Sequence, residues 1–153
     1  MKAIDVFSHG FDLRNHFFPA YRTLTPEQIE WKPEGGKNNI AFLLRHVAQS
    51  EDWFIRAVIR QEQMTPKRKA ELPTLETIMD YLEETRNRTL DLLREIPVEA
   101  LNETRPMPEG FRGSPRSEVT VGWVIHRIQS HEAYHLGQIN MLMRLQGLEP
   151  PNM

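Results

Sequence analysis

Between Val121 and Gly147 apolar residues recur at steps of three and four, and two histidines occupy places in that recurrence where leucine would be expected. The series runs Val121, Val124, Ile125, Ile128, His131, His135, Ile139, Leu142, the pattern of one helix face turned toward a core. His131 and His135 are four apart, so on a helix their Cβ atoms stand roughly 5–6 Å from each other, a separation that suits one divalent ion. A polar group left unsatisfied in an apolar seam costs on the order of 1–3 kcal/mol. The two imidazoles must therefore be hydrogen-bonded or ligated, and the helix that carries them needs other helices to lie against.

Those helices are legible. Asn38 or Asn39 caps a segment running to about Gln61, with the stripe Ile40, Leu43, Leu44, Val47, Phe54 and Val58. Thr74 caps another, with Leu75, Ile78, Met79, Leu82, Thr89, Leu93 and Ile96 inward, and Pro97 stops it. Residues 4–24 read as a first helix, which Pro19 should kink or restart. It has two stripes, one through Ile4, Phe7, Phe11 and Phe18, the other through Val6, Leu13, Phe17 and Leu24. Two apolar faces on one element imply contact with the core and with a second copy of the chain, a homodimer. Thr25-Pro26 with Gln28 starts a short helical turn that Pro33 to Gly36 ends. Residues 98–119 are rich in Pro and Gly, and the stretch Met107–Arg116 reads as a short hairpin or flap. Thr120 caps the last helix and Gly147 closes it. The expected fold is all-α: a four-helix bundle with long connections, helices crossing near 20°, in one domain over residues 1–153. Linkers of this length leave the topology open.

The charge balance narrows the function classes. A net charge of −2 with both signs interspersed gives no bulk attraction to nucleic acid or membrane. The absence of cysteine removes disulfides, thiolate ligands and a cysteine nucleophile together. No run approaches about 18 consecutive apolar residues, and the first residues lack the pattern of a secretory leader, so a soluble cytoplasmic protein acting on a small molecule is expected.

His131-Glu132-Ala133-Tyr134-His135 matches the zincin protease pattern literally, but its surroundings do not. Gln138 and Met141 stand where the extended pattern needs Gly and His, and only Glu149, in a Pro-rich tail, follows as an acid. A third ligand has to come from upstream. His126 points about 140–150° away from His131 around the helix. His9 and His16 read as surface residues. His46, flanking the inward stripe of its helix near Phe42, Ser50 and Trp53, is the better candidate, although a hydrogen-bonded structural histidine has the same signature. Glu51 falls at the centre of that stripe, either as a half-buried carboxylate or as a solvated helix-edge residue.

Three stretches resemble a known family. Leu24-Thr25-Pro26-Glu27-Gln28-Ile29-Glu30-Trp31-Lys32-Pro33 is similar to the link between first and second helix in the DinB-like (DinB/YfiT) superfamily of four-helix-bundle metalloproteins. Asn39-Ile40-Ala41-Phe42-Leu43-Leu44-Arg45-His46-Val47-Ala48 resembles its second helix, and His131 through Ile139 its most specific motif. The resemblance spans essentially the whole chain and implies His46, His131 and His135 as metal ligands. Many members carry a further histidine four residues before the first of that motif, where this chain has Arg127.

Three neutral imidazoles would leave a four-coordinate ion with an open position, as in catalytic sites, and imidazole suits Zn²⁺ or Ni²⁺. The resemblance implies a metal-dependent enzyme, either a transferase or isomerase using a low-molecular-weight thiol cosubstrate or a hydrolase. The alternative is a metal-binding stress-response bundle without turnover. Glu132, beside a ligand and inward, is expected to serve as general base or to support a ligand from behind; a plain surface carboxylate is the other reading. Tyr134 and Gln138 are further candidates to line the pocket.

Overall fold

The computed structural model describes residues 1–7, 9–109, 111 and 117–153. Among them are six α-helices: α1 (Ala3–Val6), α2 (Leu13–Tyr21), α3 (Pro26–Glu30), α4 (Ile40–Trp53), α5 (Leu75–Glu95) and α6 (Val121–Leu145). The four longest, α2, α4, α5 and α6, build an all-α bundle, and α4 packs against both α5 and α6. None is long and apolar enough to cross a membrane.

Local chemistry accounts for the helix boundaries. Asn39 accepts the Phe42 N–H at 2.7 Å, Thr74 the Thr77 N–H at 3.2 Å and Thr120 the Trp123 N–H at 3.1 Å. Thr25 and Gln28 exchange side-chain-to-backbone bonds of 2.8 and 3.2 Å in a capping box, with Pro26 opening α3. Gly147, at φ +75°, ends α6, and the Leu148 N–H reaches back to the Met143 carbonyl at 2.9 Å. Beyond Trp53, α4 runs on as a π-helical turn, Phe54–Ile59, in which the Arg60 N–H bonds the Ile55 carbonyl at 3.0 Å.

The first segment differs from the expectation of one helix over 4–24. It is broken into α1 and α2, so its apolar residues do not lie on two faces of one cylinder. The Ala3 N–H bonds the Ile96 carbonyl at 3.1 Å, pinning α1 to the end of α5. Phe11, Phe17, Phe18 and Leu24 are all buried within the chain, and of the two stripes Val6 alone is exposed. The pattern that argued for a homodimer is thus largely absorbed by the chain's own core. Pro19 lies inside α2 and the helix ends two residues later.

Before α6, strands β1 (Thr104–Pro106) and β2 (Glu118–Thr120) pair antiparallel, Thr104 opposite Thr120. The Met107 N–H adds a bond of 2.8 Å to the Ser117 carbonyl, so the pairing flanks the stretch read as a hairpin or flap. Gly110 and residues 112–116, most of the stretch Met107–Arg116, lie outside the described residues.

The core has two apolar parts. One gathers Tyr21, Leu43, Leu44, Ile78, Leu82, Leu136 and Ile139, the other Phe54, Val58, Leu93, Val124, Ile125 and Ile128. Charged side chains lie between them.

Candidate metal centre and the charged layer beside it

Helices α4 and α6 run antiparallel: His46 lies against His131 and His135, while eight residues further along α4 the Phe54 ring faces Trp123 at 6.4 Å. This arrangement brings three imidazoles together. His131 Nε2 is 3.0 Å from His46 Nε2 and 3.0 Å from His135 Nε2, and one nitrogen from each ring lies within 4.8 Å of the others. A cation about 2.0–2.1 Å from two nitrogens holds them about 2.8–3.4 Å apart over right-angled to tetrahedral coordination, so these spacings fit a single ion.

The surroundings favour neutral, lone-pair-bearing rings. Burial, then the proximity of His135 and His46, then the charge of Arg127 push the His131 pKa down to about 3. Burial and His135 likewise lower that of His46. His135 Nδ1 lies 2.6 Å from Gln138 Oε1. An amide oxygen only accepts, so Nδ1 carries the proton and Nε2 presents its lone pair to the cluster. The Gln138 amide is itself oriented by the Tyr134 hydroxyl, to which its nitrogen donates at 3.4 Å. Phe42 stacks on His46 with centroids 5.8 Å apart.

Of the six histidines in the sequence, these are the three brought together. His126 is exposed, as are His9, 3.8 Å from Asp12, and His16, which contacts the Asn152 carbonyl.

Glu132 is placed elsewhere. It is 2% exposed and faces the middle of the bundle, where Arg14 Nε donates to one of its oxygens and Arg86 Nη2 to the other at 2.8 Å. Glu51, also buried, accepts from Arg14 Nη2, from Arg86 Nε at 2.9 Å and from Thr89 Oγ1 at 2.7 Å. Burial alone would raise the Glu51 pKa; Arg14 and Arg86 outweigh it and hold the carboxyl below its ordinary range. Each of the four bundle helices contributes one charge to this layer. The surface readings of Glu51 and Glu132 are therefore corrected. The general-base reading of Glu132 meets a carboxylate with both oxygens already bonded to guanidinium groups. Arg14 and Arg86 were not among the expected residues. Their signal was present: each interrupts an apolar series, Arg14 between Phe11 and Phe18 and Arg86 between Leu82 and Thr89.

A model of the DinB superfamily matches residues 12–139. The chain belongs to the DinB superfamily. It is also similar to a Bacillus subtilis (strain 168) protein described as uncharacterized protein YizA, with 26% identity over 145 residues, covering 94% of this chain and 87% of that one. The DinB match contains all three histidines of the cluster as well as the four charged residues of the central layer.

Proposed function

We propose that His46, His131 and His135 hold one divalent metal, Zn²⁺ or Ni²⁺, and that the chain is a metal-dependent enzyme acting on a small molecule, with thiol-dependent transfer favoured over hydrolysis. The observation that carries this reading is the convergence of three neutral imidazole nitrogens at coordination distance, with no protein carboxylate among them. When bound, a metal with an open position supplies a lowered pKa to a coordinated water or thiol, and so a nucleophile at neutral pH. Because the chain has no cysteine, a reacting sulfur would come from a cosubstrate. The protein's own part is to keep His46 and His131 unprotonated, to fix the His135 tautomer through Gln138 and to screen one side of the cluster with Phe42. Glu132 is assigned to holding the bundle together rather than to proton transfer.

Metal analysis of protein purified without an affinity tag tests the first half of the proposal. About one equivalent should be retained, and His46→Ala, His131→Ala or His135→Ala should each abolish binding while His126→Ala does not. Because imidazole ligates only when unprotonated and the His131 pKa is pushed down to about 3, metal should be held through about pH 5 and lost as the pH approaches about 3; loss already complete at about pH 6 would contradict the cluster as the binding site. The second half is tested by incubating the loaded protein with a small thiol and a panel of electrophiles. Rates equal to those of His135→Ala would leave a metal-binding bundle without turnover.

A further inference from the structure

The histidine cluster has a cation beside it that meets no acidic partner among the described residues. Arg127 lies one turn before His131 on α6, about 5–6 Å away at Cβ by helix geometry, and its charge acts on that ring. It is half-buried, and its Nε, closed off from solvent, meets no hydrogen-bond acceptor among the described residues. The buried acids of the facing and neighbouring turns are engaged elsewhere. Glu51 and Glu132 are bonded to Arg14 and Arg86, and Asp52 to Arg88 and Tyr81. The residue one turn after His46 on the antiparallel helix is Ser50, which is neutral. Gln138 and Tyr134, on the other side of the cluster, are neutral as well.

This sets a charge balance. A divalent ion held by three neutral imidazoles, with a guanidinium one turn away, makes three positive charges in a partly buried place with no unengaged negative group beside them among the described residues. Such a collection is stabilised only by anions, and the coordination position left open is where one can enter. A guanidinium that arrives without a counter-ion is suited to a carboxylate, which it can grip with two parallel N–H bonds.

Resting on the three-histidine reading, we propose that Arg127 is the anion-recognition residue of this site. Its ligand is then a small molecule whose metal-binding atom and carboxylate are separated by about one helical turn. A short thiol acid meets that description; a neutral thiol or alcohol does not.

The test uses the full chain loaded with Co²⁺, whose absorption reports what enters its coordination shell, and two probes, 3-mercaptopropionate and its amide. The wild-type protein should bind the acid at least about tenfold more tightly than the amide. Arg127→Gln should bring that ratio near one while the amide's affinity stays within about twofold, and Arg127→Lys should keep part of the preference. A ratio near one in the wild type, or the same preference in Arg127→Gln, overturns the proposal. Co²⁺ uptake is scored first. If the wild type takes up no Co²⁺, or His46→Ala takes up as much, the three-histidine reading itself has failed and this inference falls with it. Co²⁺ uptake by Arg127→Gln equal to the wild type's shows that the variant is folded at the site.

Discussion

The charged layer and the histidine cluster draw on the same two helices, Glu51 lying five residues after His46 on α4 and Glu132 one residue after His131 on α6. Their hydrogen-bond counts differ. In the layer two guanidiniums meet two carboxylates, every carboxylate oxygen accepts at least one bond, and Arg86 Nη1 is its one nitrogen without a partner. In the cluster three nitrogens crowd together at 3.0 Å contacts, with no acid to match them and protonation disfavoured. A polar group in a core is stable when its partners are present. The layer contains its own partners and is a structural element. The cluster has no such partner among the described residues, and on the proposed reading a metal ion supplies it.

The largest effect that would break this comparison comes from the layer. Arg86→Met leaves Glu51 and Glu132 with one guanidinium between them, and should cost about 3–5 kcal/mol in urea unfolding of the metal-free protein. A loss under about 1 kcal/mol would mean that the layer does not hold the bundle. Next in size, Gln138→Leu removes the acceptor that fixes the His135 tautomer. It should weaken metal binding about 10–100-fold with the fold intact, and Gln138→Glu, which keeps an acceptor, should recover most of that affinity. Titration calorimetry with Zn²⁺ checks both.

The smallest effect is a pH dependence that separates the two groups. His131 and His46 have folded-state pKa values below the unfolded value near 6.5, so the unfolded chain takes up protons there that the folded cluster refuses. Stability of the metal-free protein should therefore fall as pH drops below about 6.5, and for His131 continue to fall toward about 3. Glu51 works in a different window: its folded pKa is lowered, so its contribution is complete above about 4.5 and is lost only as pH falls through the folded value. Urea midpoints at pH 7 and pH 5 should therefore differ less in His131→Ala than in the wild type. Equal differences would place the pH sensitivity outside the cluster.

Much of this was readable from the residues. Helices α4, α5 and α6 announced their faces by periodicity and their starts by Asn39, Thr74 and Thr120, because capping and amphipathicity are local properties. His131 and His135 followed from helix geometry alone. His46 needed the packing of a second helix, which periodicity does not supply, and at that stage rested on family resemblance. The break between α1 and α2 is not legible in the residues, since apolar spacing through Phe7 and Phe11 continues across it while the helix does not. The charged layer was half visible. Glu51 and Glu132 interrupted their stripes openly, but matching them to Arg14 and Arg86 requires knowing which helix lies beside which and at what height.

That height has a consequence for the proposed metal site. Each residue of slip along a helix moves its side chains by about 1.5 Å and swings them around the axis, whereas a coordination bond tolerates a few tenths of an ångström. Glu51 and Glu132, clamped to the same two guanidiniums, keep α4 and α6 from sliding past each other, and the histidines ride on those helices within a turn or two of the clamp. The buried ion pairs would thus act as an alignment gauge for the proposed coordination site, which they never touch.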